Sequence, residues 1–175
     1  MISAVCGRTE DRDEKHHKVR NNGMEVFMGR KVLVINGPNL NLLGQLNPLA
    51  YGSDTYDELI TLVKEQAVRR RIEVECFQSN YEGAIIDRLQ QAILEGVDGI
   101  IINPGAFTHY SYAIYDCLLE VKAPKIEVHI ADIYNREPFR RINVISPACD
   151  SMVYRLGIDG YVMAMDKLIE LWGDE

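Results

Sequence analysis

Gly99-Ile-Ile-Ile-Asn103-Pro-Gly105 is an unbroken apolar run that ends at two breakers of regular structure. A strand with water on one side alternates apolar and polar residues. A continuous apolar run bounded by turn formers fits a strand covered on both faces, as in a parallel sheet between helix layers. Upstream, Lys31-Val-Leu-Val-Ile-Asn36 has the same character and ends in the turn former Asn36-Gly-Pro-Asn39. Between these runs, Tyr56, Leu59, Ile60, Val63 and Ala67 repeat with helical spacing, with Ser53 or Asp54 as the cap. Arg69-Arg70-Arg71 places cations at the negative end of that helix. Ile72, Val74 and Cys76 alternate with polar neighbours in a strand, and Ile85, Ile86, Leu89, Ala92 and Ile93 share one face of a helix over Glu82–Leu94. Downstream, the pattern predicts a helix over His109–Val121, a strand over Lys125–Ile130, a loop with Arg136, Arg140 and Arg141, a short strand over Met152–Leu156 and a closing helix over Ile158–Leu171. Five strand–helix alternations predict an α/β, flavodoxin-like three-layer sandwich whose five-stranded parallel sheet has the order 2-1-3-4-5.

At 175 residues the chain is the size of one domain. Residues 31–175 read as a single domain. Residues 1–30 read as an N-terminal tail or extension, dense in charge of both signs and with no helical or strand period running through it. Met24 and Met28 are the natural alternative starts. The apolar stretch Ile2–Cys6 is too short for a signal peptide. A net charge of −7 argues against a nucleic-acid or acidic-membrane footprint. No apolar run approaches the ~18 residues of a membrane span. Cys6, Cys76, Cys117 and Cys149 lie far apart with no C-x-x-C pair, as expected for free thiols in a reducing cytoplasm.

In open parallel sheets ligands bind beyond the carboxyl ends of the strands. Here those ends carry Asn36 to Asn39, Asn103 to His109, and the pair Glu127 and His129, which share one side of their strand. A loop of arginines follows. Their convergence predicts a small-molecule site. No P-loop, dinucleotide fingerprint or nucleophile elbow is present. His109 and His129 lack a third clustered ligand, so no metal is expected. Acid–base chemistry remains, with Arg136 and Arg140 suited to an anion and the asparagines to hydroxyls or an enolate oxygen.

The sequence resembles the type II 3-dehydroquinate dehydratases, or type II dehydroquinases. The resemblance runs from about Lys31 to Leu171. It rests on Asn36-Gly-Pro-Asn-Leu-Asn-Leu-Leu-Gly44, Tyr51-Gly-Ser53, Gln78-Ser-Asn80 with Glu82-Gly83, Ile102-Asn-Pro-Gly-Ala106 with Thr108-His109, Ile126-Glu-Val-His129, Arg136-Glu137 with Phe139-Arg140, and Gly157 with Gly160-Tyr161. It implies dehydration of 3-dehydroquinate to 3-dehydroshikimate on the way to chorismate and the aromatic amino acids, or a role in quinate breakdown. It also implies a cytoplasmic enzyme without metal or organic cofactor, assembled as a homododecamer of four trimers. Implied roles are Tyr51 on a lid as base, Asn39 holding the water or oxygen that stabilises the enolate, His129 as acid and Glu127 as its orienting partner. Asn103, His109, Arg140 and Arg136 belong to the implied substrate-binding set. So do the backbone amides of Ile130 and Ala131 at the carboxylate, and Asp116 in a neighbouring subunit's site.

The sequence departs from the family pattern at instructive positions. The lid reads Gly44-Gln45-Leu46-Asn47-Pro48, so Leu46 stands where the family has the arginine that activates the tyrosine. No other Lys or Arg lies between Lys31 and Lys64, which leaves Arg136, Arg141 or another subunit to supply a cation. Ala131 replaces a usual serine, and Tyr81 and Tyr134 replace common histidines. The alternative expectation is therefore a low-activity or non-catalytic relative that binds a similar anion. A flavin-binding flavodoxin is disfavoured, because the loop after the first run lacks a Ser/Thr-rich phosphate cradle.

Overall fold

The computed structural model describes residues 18–21, 24–27 and 29–173. Strand β1 (Lys18–Asn21) pairs antiparallel with β2 (Met24–Phe27). The sequence of residues 1–30 has no strand period running through it, so periodicity did not signal this pairing. Cys6 and the His16-His17 pair lie outside the described residues.

Five parallel strands form the main sheet: β3 (Lys31–Asn36), β4 (Glu73–Gln78), β5 (Gly99–Asn103), β6 (Lys125–His129) and β7 (Ser151–Tyr154). Their order, β4-β3-β5-β6-β7, is the expected 2-1-3-4-5. The alternation of side chains along a strand divides the core into two layers. Val32, Val34, Ile101, Ile126 and Val128 face one way, against α2 (Tyr56–Arg69) and α5 (Asp159–Trp172). Leu33, Ile35, Ile100 and Ile102 face the other, against α3 (Glu82–Glu95) and α4 (Tyr112–Glu120). Each fully buried Leu or Ile contributes roughly 1.5–3 kcal/mol relative to exposure, so both layers are needed to hold the sheet.

Local chemistry moved three expected boundaries. The cap of α2 is Thr55 rather than Ser53 or Asp54: its hydroxyl accepts from Glu58 N–H while Glu58 Oε2 accepts from Thr55 N–H at 2.7 Å. His109 does not begin a long helix. It ends a 3-10 turn, Gly105–His109, and α4 starts afterwards under the Ser111 cap. The polar, Gly/Pro-containing stretch up to Gly52 reads as a loop in the sequence, but Pro48 and the Asn47 cap start a single helical turn there, α1 (Pro48–Tyr51), which carries Tyr51.

Candidate active site

The site begins where β3 and β5 end. Gly37 N–H donates to the Asn103 carbonyl at 2.7 Å, and a Cβ at position 37 would collide with the Pro104 carbonyl. Only glycine lets the two turns approach this closely. The next loop then bends through Asn39 in the left-handed region, φ 67°, a conformation asparagine tolerates. Asn39 N–H donates to Asn80 Oδ1 at 2.9 Å, and Gln78 Nε2 holds the same oxygen at 3.1 Å. Thus β4 supplies the support that aims Asn39.

These ends border a cavity of about 160 Å³, below the ~300–1,000 Å³ typical for drug-sized ligands and suited to a small metabolite. Asn39, Leu46, Tyr51, Asn103, His109, His129, Ile130, Ala131, Arg136 and Arg140 all line it. Glu127 is fully buried behind the wall, and Asp116 is exposed on α4, away from the cavity.

On the lid side, Tyr51 and Leu46 both pack against the core layer that contains α2 and α5. Arg136 Nη1 donates to Tyr51 Oη at 3.3 Å, and its guanidinium carbon lies 5.7 Å from the ring centroid. The cation that the lid lacks at Leu46 therefore reaches the phenol from the opposite loop. Glu137 steadies both arginines, with Oε2 at 3.0 Å from Arg140 Nε and 3.6 Å from Arg136 Nε. Backbone hydrogen bonding and these guanidinium groups keep the Glu137 carboxyl below the ordinary carboxylate range.

On the strand side, His129 Nε2 bonds Glu127 Oε1 at 2.7 Å, leaving Nδ1 for a ligand. The far side of Glu127 is met by Asn143, whose Nδ2 lies 3.0 and 3.1 Å from the two carboxylate oxygens. His109 Nδ1 pairs with the Ile142 carbonyl at 2.7 Å. Burial holds His109 below the ordinary histidine range; the Ile142 bond opposes this, and the charge of Arg140 adds to it. The favoured neutral ring donates from Nδ1 to that carbonyl and keeps Nε2 as an acceptor. Asn103 is held too. Its Nδ2 donates to the buried Tyr161 phenol at 3.0 Å, Tyr161 donates to Asn36 Oδ1 at 2.6 Å, and Asn103 Oδ1 accepts from Gly105 N–H. Burial pushes the Tyr161 phenol well above the ordinary tyrosine range, so it stays a neutral donor.

Sequence reasoning identified residues that touch the cavity and, in Glu127, one that holds them, but missed Asn143 and the role of Tyr161. Asn143 and Tyr161 belong to no local chemical pattern, although Tyr161 stood within a quoted motif. Among the described residues no three His, Cys, Asp or Glu side chains gather as a metal cluster, and no helix is long and apolar enough to cross a membrane. Cys76, Cys117 and Cys149 are free, and burial pushes the Cys76 thiol up to about 11.

Comparison with known proteins fits this geometry. The family model for dehydroquinase class II matches residues 30–169. The 3-dehydroquinate dehydratase of Lachnospira eligens is 50% identical over 142 residues, covering 81% of this chain and 97% of that one. That of Caldicellulosiruptor saccharolyticus is 51% identical over 144 residues, covering 82% and 99%. The crystal structure of the type II dehydroquinase from Butyrivibrio crossotus aligns with a TM-score of 0.79 at 52% identity, covering 80% of this chain and 97% of that one. With its parallel sheet, its strand-end cavity and these relatives, the chain belongs to the class II dehydroquinase family.

Proposed function

We propose that this hydro-lyase removes water from 3-dehydroquinate to give 3-dehydroshikimate by anti elimination through an enolate, in the shikimate pathway toward chorismate and the aromatic amino acids. The observation that carries the reading is the pairing of two opposed units at one cavity: Tyr51 with Arg136, and His129 with buried Glu127. Tyr51, as phenolate, takes the proton from the carbon next to the ketone. Arg136 Nη1 donates to that oxygen, a charge-assisted contact at the atom that takes the proton. Asn39 holds the water or oxygen that stabilises the developing enolate. The C–O bond of the leaving hydroxyl then breaks, and His129 delivers the proton that makes it water. Glu127 keeps the imidazole oriented. Every proton transfer in this scheme is assigned to a side chain of the chain.

In the same reading Asn103, His109, Arg140 and Arg136 hold the substrate, and the amides of Ile130 and Ala131 take its carboxylate. Residues 31–175 act as one catalytic domain in the cytoplasm, with residues 1–30 as an extension. Asp116 completes a neighbouring site within a trimer-based homododecamer. Leu46, an apolar group in the cavity wall, favours the second reading, a slowed or non-catalytic relative. Purified protein mixed with 3-dehydroquinate separates the two. Growth of enone absorbance is expected; folded protein that binds the compound without forming enone would establish the second reading.

A further inference from the structure

We propose that Asn143 is a positioning residue for the general acid: it clamps Glu127 so that Glu127 can hold His129 in place for leaving-group protonation. The inference rests on the dehydratase reading and extends it to a residue outside the cavity wall. Glu127 is fully buried, and a buried carboxylate requires hydrogen-bond donors for its lone pairs. His129 supplies one through Nε2 at 2.7 Å. Asn143 Nδ2 lies 3.0 and 3.1 Å from the two oxygens.

The direction of the Asn143 amide is not open. Its Oδ1 accepts two backbone N–H groups, from Ile145 and Ser146, both at 2.9 Å. The amide oxygen is therefore committed to the backbone, and only the NH₂ can face Glu127. A side chain that accepts on one end and donates on the other is required, and asparagine meets both demands. Replacement of that donor by an acceptor sets two carboxyl groups against each other and leaves that side of Glu127 without its hydrogen bond. Glu127 would then hold the imidazolium less well.

Asn143→Asp is the informative change, because it keeps the acceptor toward Ile145 and Ser146 and removes the donor toward Glu127. A general acid contributes roughly 10²–10⁴-fold, and loss of its positioning forfeits a part of that, about 10- to 100-fold. Expected is a kcat loss of that size with KM for 3-dehydroquinate within about twofold, since Arg136 and Arg140 are undisturbed. Tyr51 still forms the enolate, so substrate recovered from D₂O should carry more deuterium per dehydration event than with the wild type. In a His129→Ala background the same change should add no further loss. Asn143→Ser, which keeps a hydroxyl donor, should fall between wild type and Asn143→Asp, and serves where the aspartate variant does not fold. A rise in KM at unchanged kcat, an equal fall in exchange and dehydration, or a full additional loss in the His129→Ala background would make Asn143 only an anchor of its loop and overturn the proposal. Wild-type turnover tests the dehydratase reading by itself, so the two can fail separately.

Discussion

Arg136 and Leu46 have to be weighed together. The lid position occupied by Leu46 supplies no charge, while Arg136 contacts the Tyr51 oxygen from the other side of the cavity. A cation at that range favours the anionic form of an acid. Arg136→Met should therefore lower kcat roughly 10- to 100-fold. Leu46→Arg should change the native enzyme by no more than about twofold and recover much of the loss in the Arg136→Met background. Steady-state kinetics of the four proteins tests this; a large gain from Leu46→Arg alone would mean that Arg136 leaves Tyr51 under-activated. His109 offers a second test. Its protonation is disfavoured, chiefly by burial, so its contribution is intact above the ordinary value of ~6.5 and fades as pH falls through the lowered one. KM should rise on acidification as Nε2 ceases to accept a substrate hydroxyl. His109→Gln, whose amide does not titrate in this range, should flatten that rise in KM measured from about pH 7 to pH 5. Residue type alone marked Arg136 as an anion binder. Sequence also named it among the candidate sources of the missing cation, with Arg141 and another subunit, but could not choose among them, because 85 positions separate Arg136 from Tyr51.

The main elements were legible because their periods are strong. The apolar runs of β3 and β5 and the helical stripes of α2 and α3 survive in the structure as one buried sheet between two helix layers. Weak points of the reading were places where a few hydrogen bonds outweigh periodicity: the Thr55–Glu58 capping box, the Asn47 cap of α1 and the 3-10 turn ending at His109. The network that joins α5 to the ends of β3 and β5 was equally hidden, since Tyr161, Asn36 and Asn103 meet only after the sheet has formed. Tyr161→Phe keeps the ring and removes the hydroxyl, leaving two buried amides each short of a partner. An unsatisfied buried group costs about 1–3 kcal/mol. The urea midpoint should fall accordingly at unchanged slope. A variant as stable as wild type would show that the amides find other partners.

Assembly links the remaining sequence expectation to the surface of the molecule. Asp116 is exposed on α4 and does not line the cavity of its own subunit. On the same helix Tyr112 and Leu119 are 67% and 53% exposed, apolar surface that would be covered by a neighbouring copy. If Asp116 completes a neighbour's site, each cavity is built from two chains and an isolated subunit is inactive. Complementation provides a sharper test than size alone. Tyr51→Phe lacks the base but still offers Asp116 to its neighbour; Asp116→Ala keeps the base but offers nothing. Each homogeneous assembly should be nearly inactive. Refolding the two together creates sites in which an intact Tyr51 from one chain meets Asp116 from the other, and enone formation should return to a substantial fraction of wild type. Light scattering on the same mixture verifies that the assembly has formed. Recovery should disappear when each variant is assembled separately and then combined without subunit exchange. An active monomer, or an Asp116→Ala assembly with wild-type kcat, would confine the site to a single chain and remove Asp116 from it.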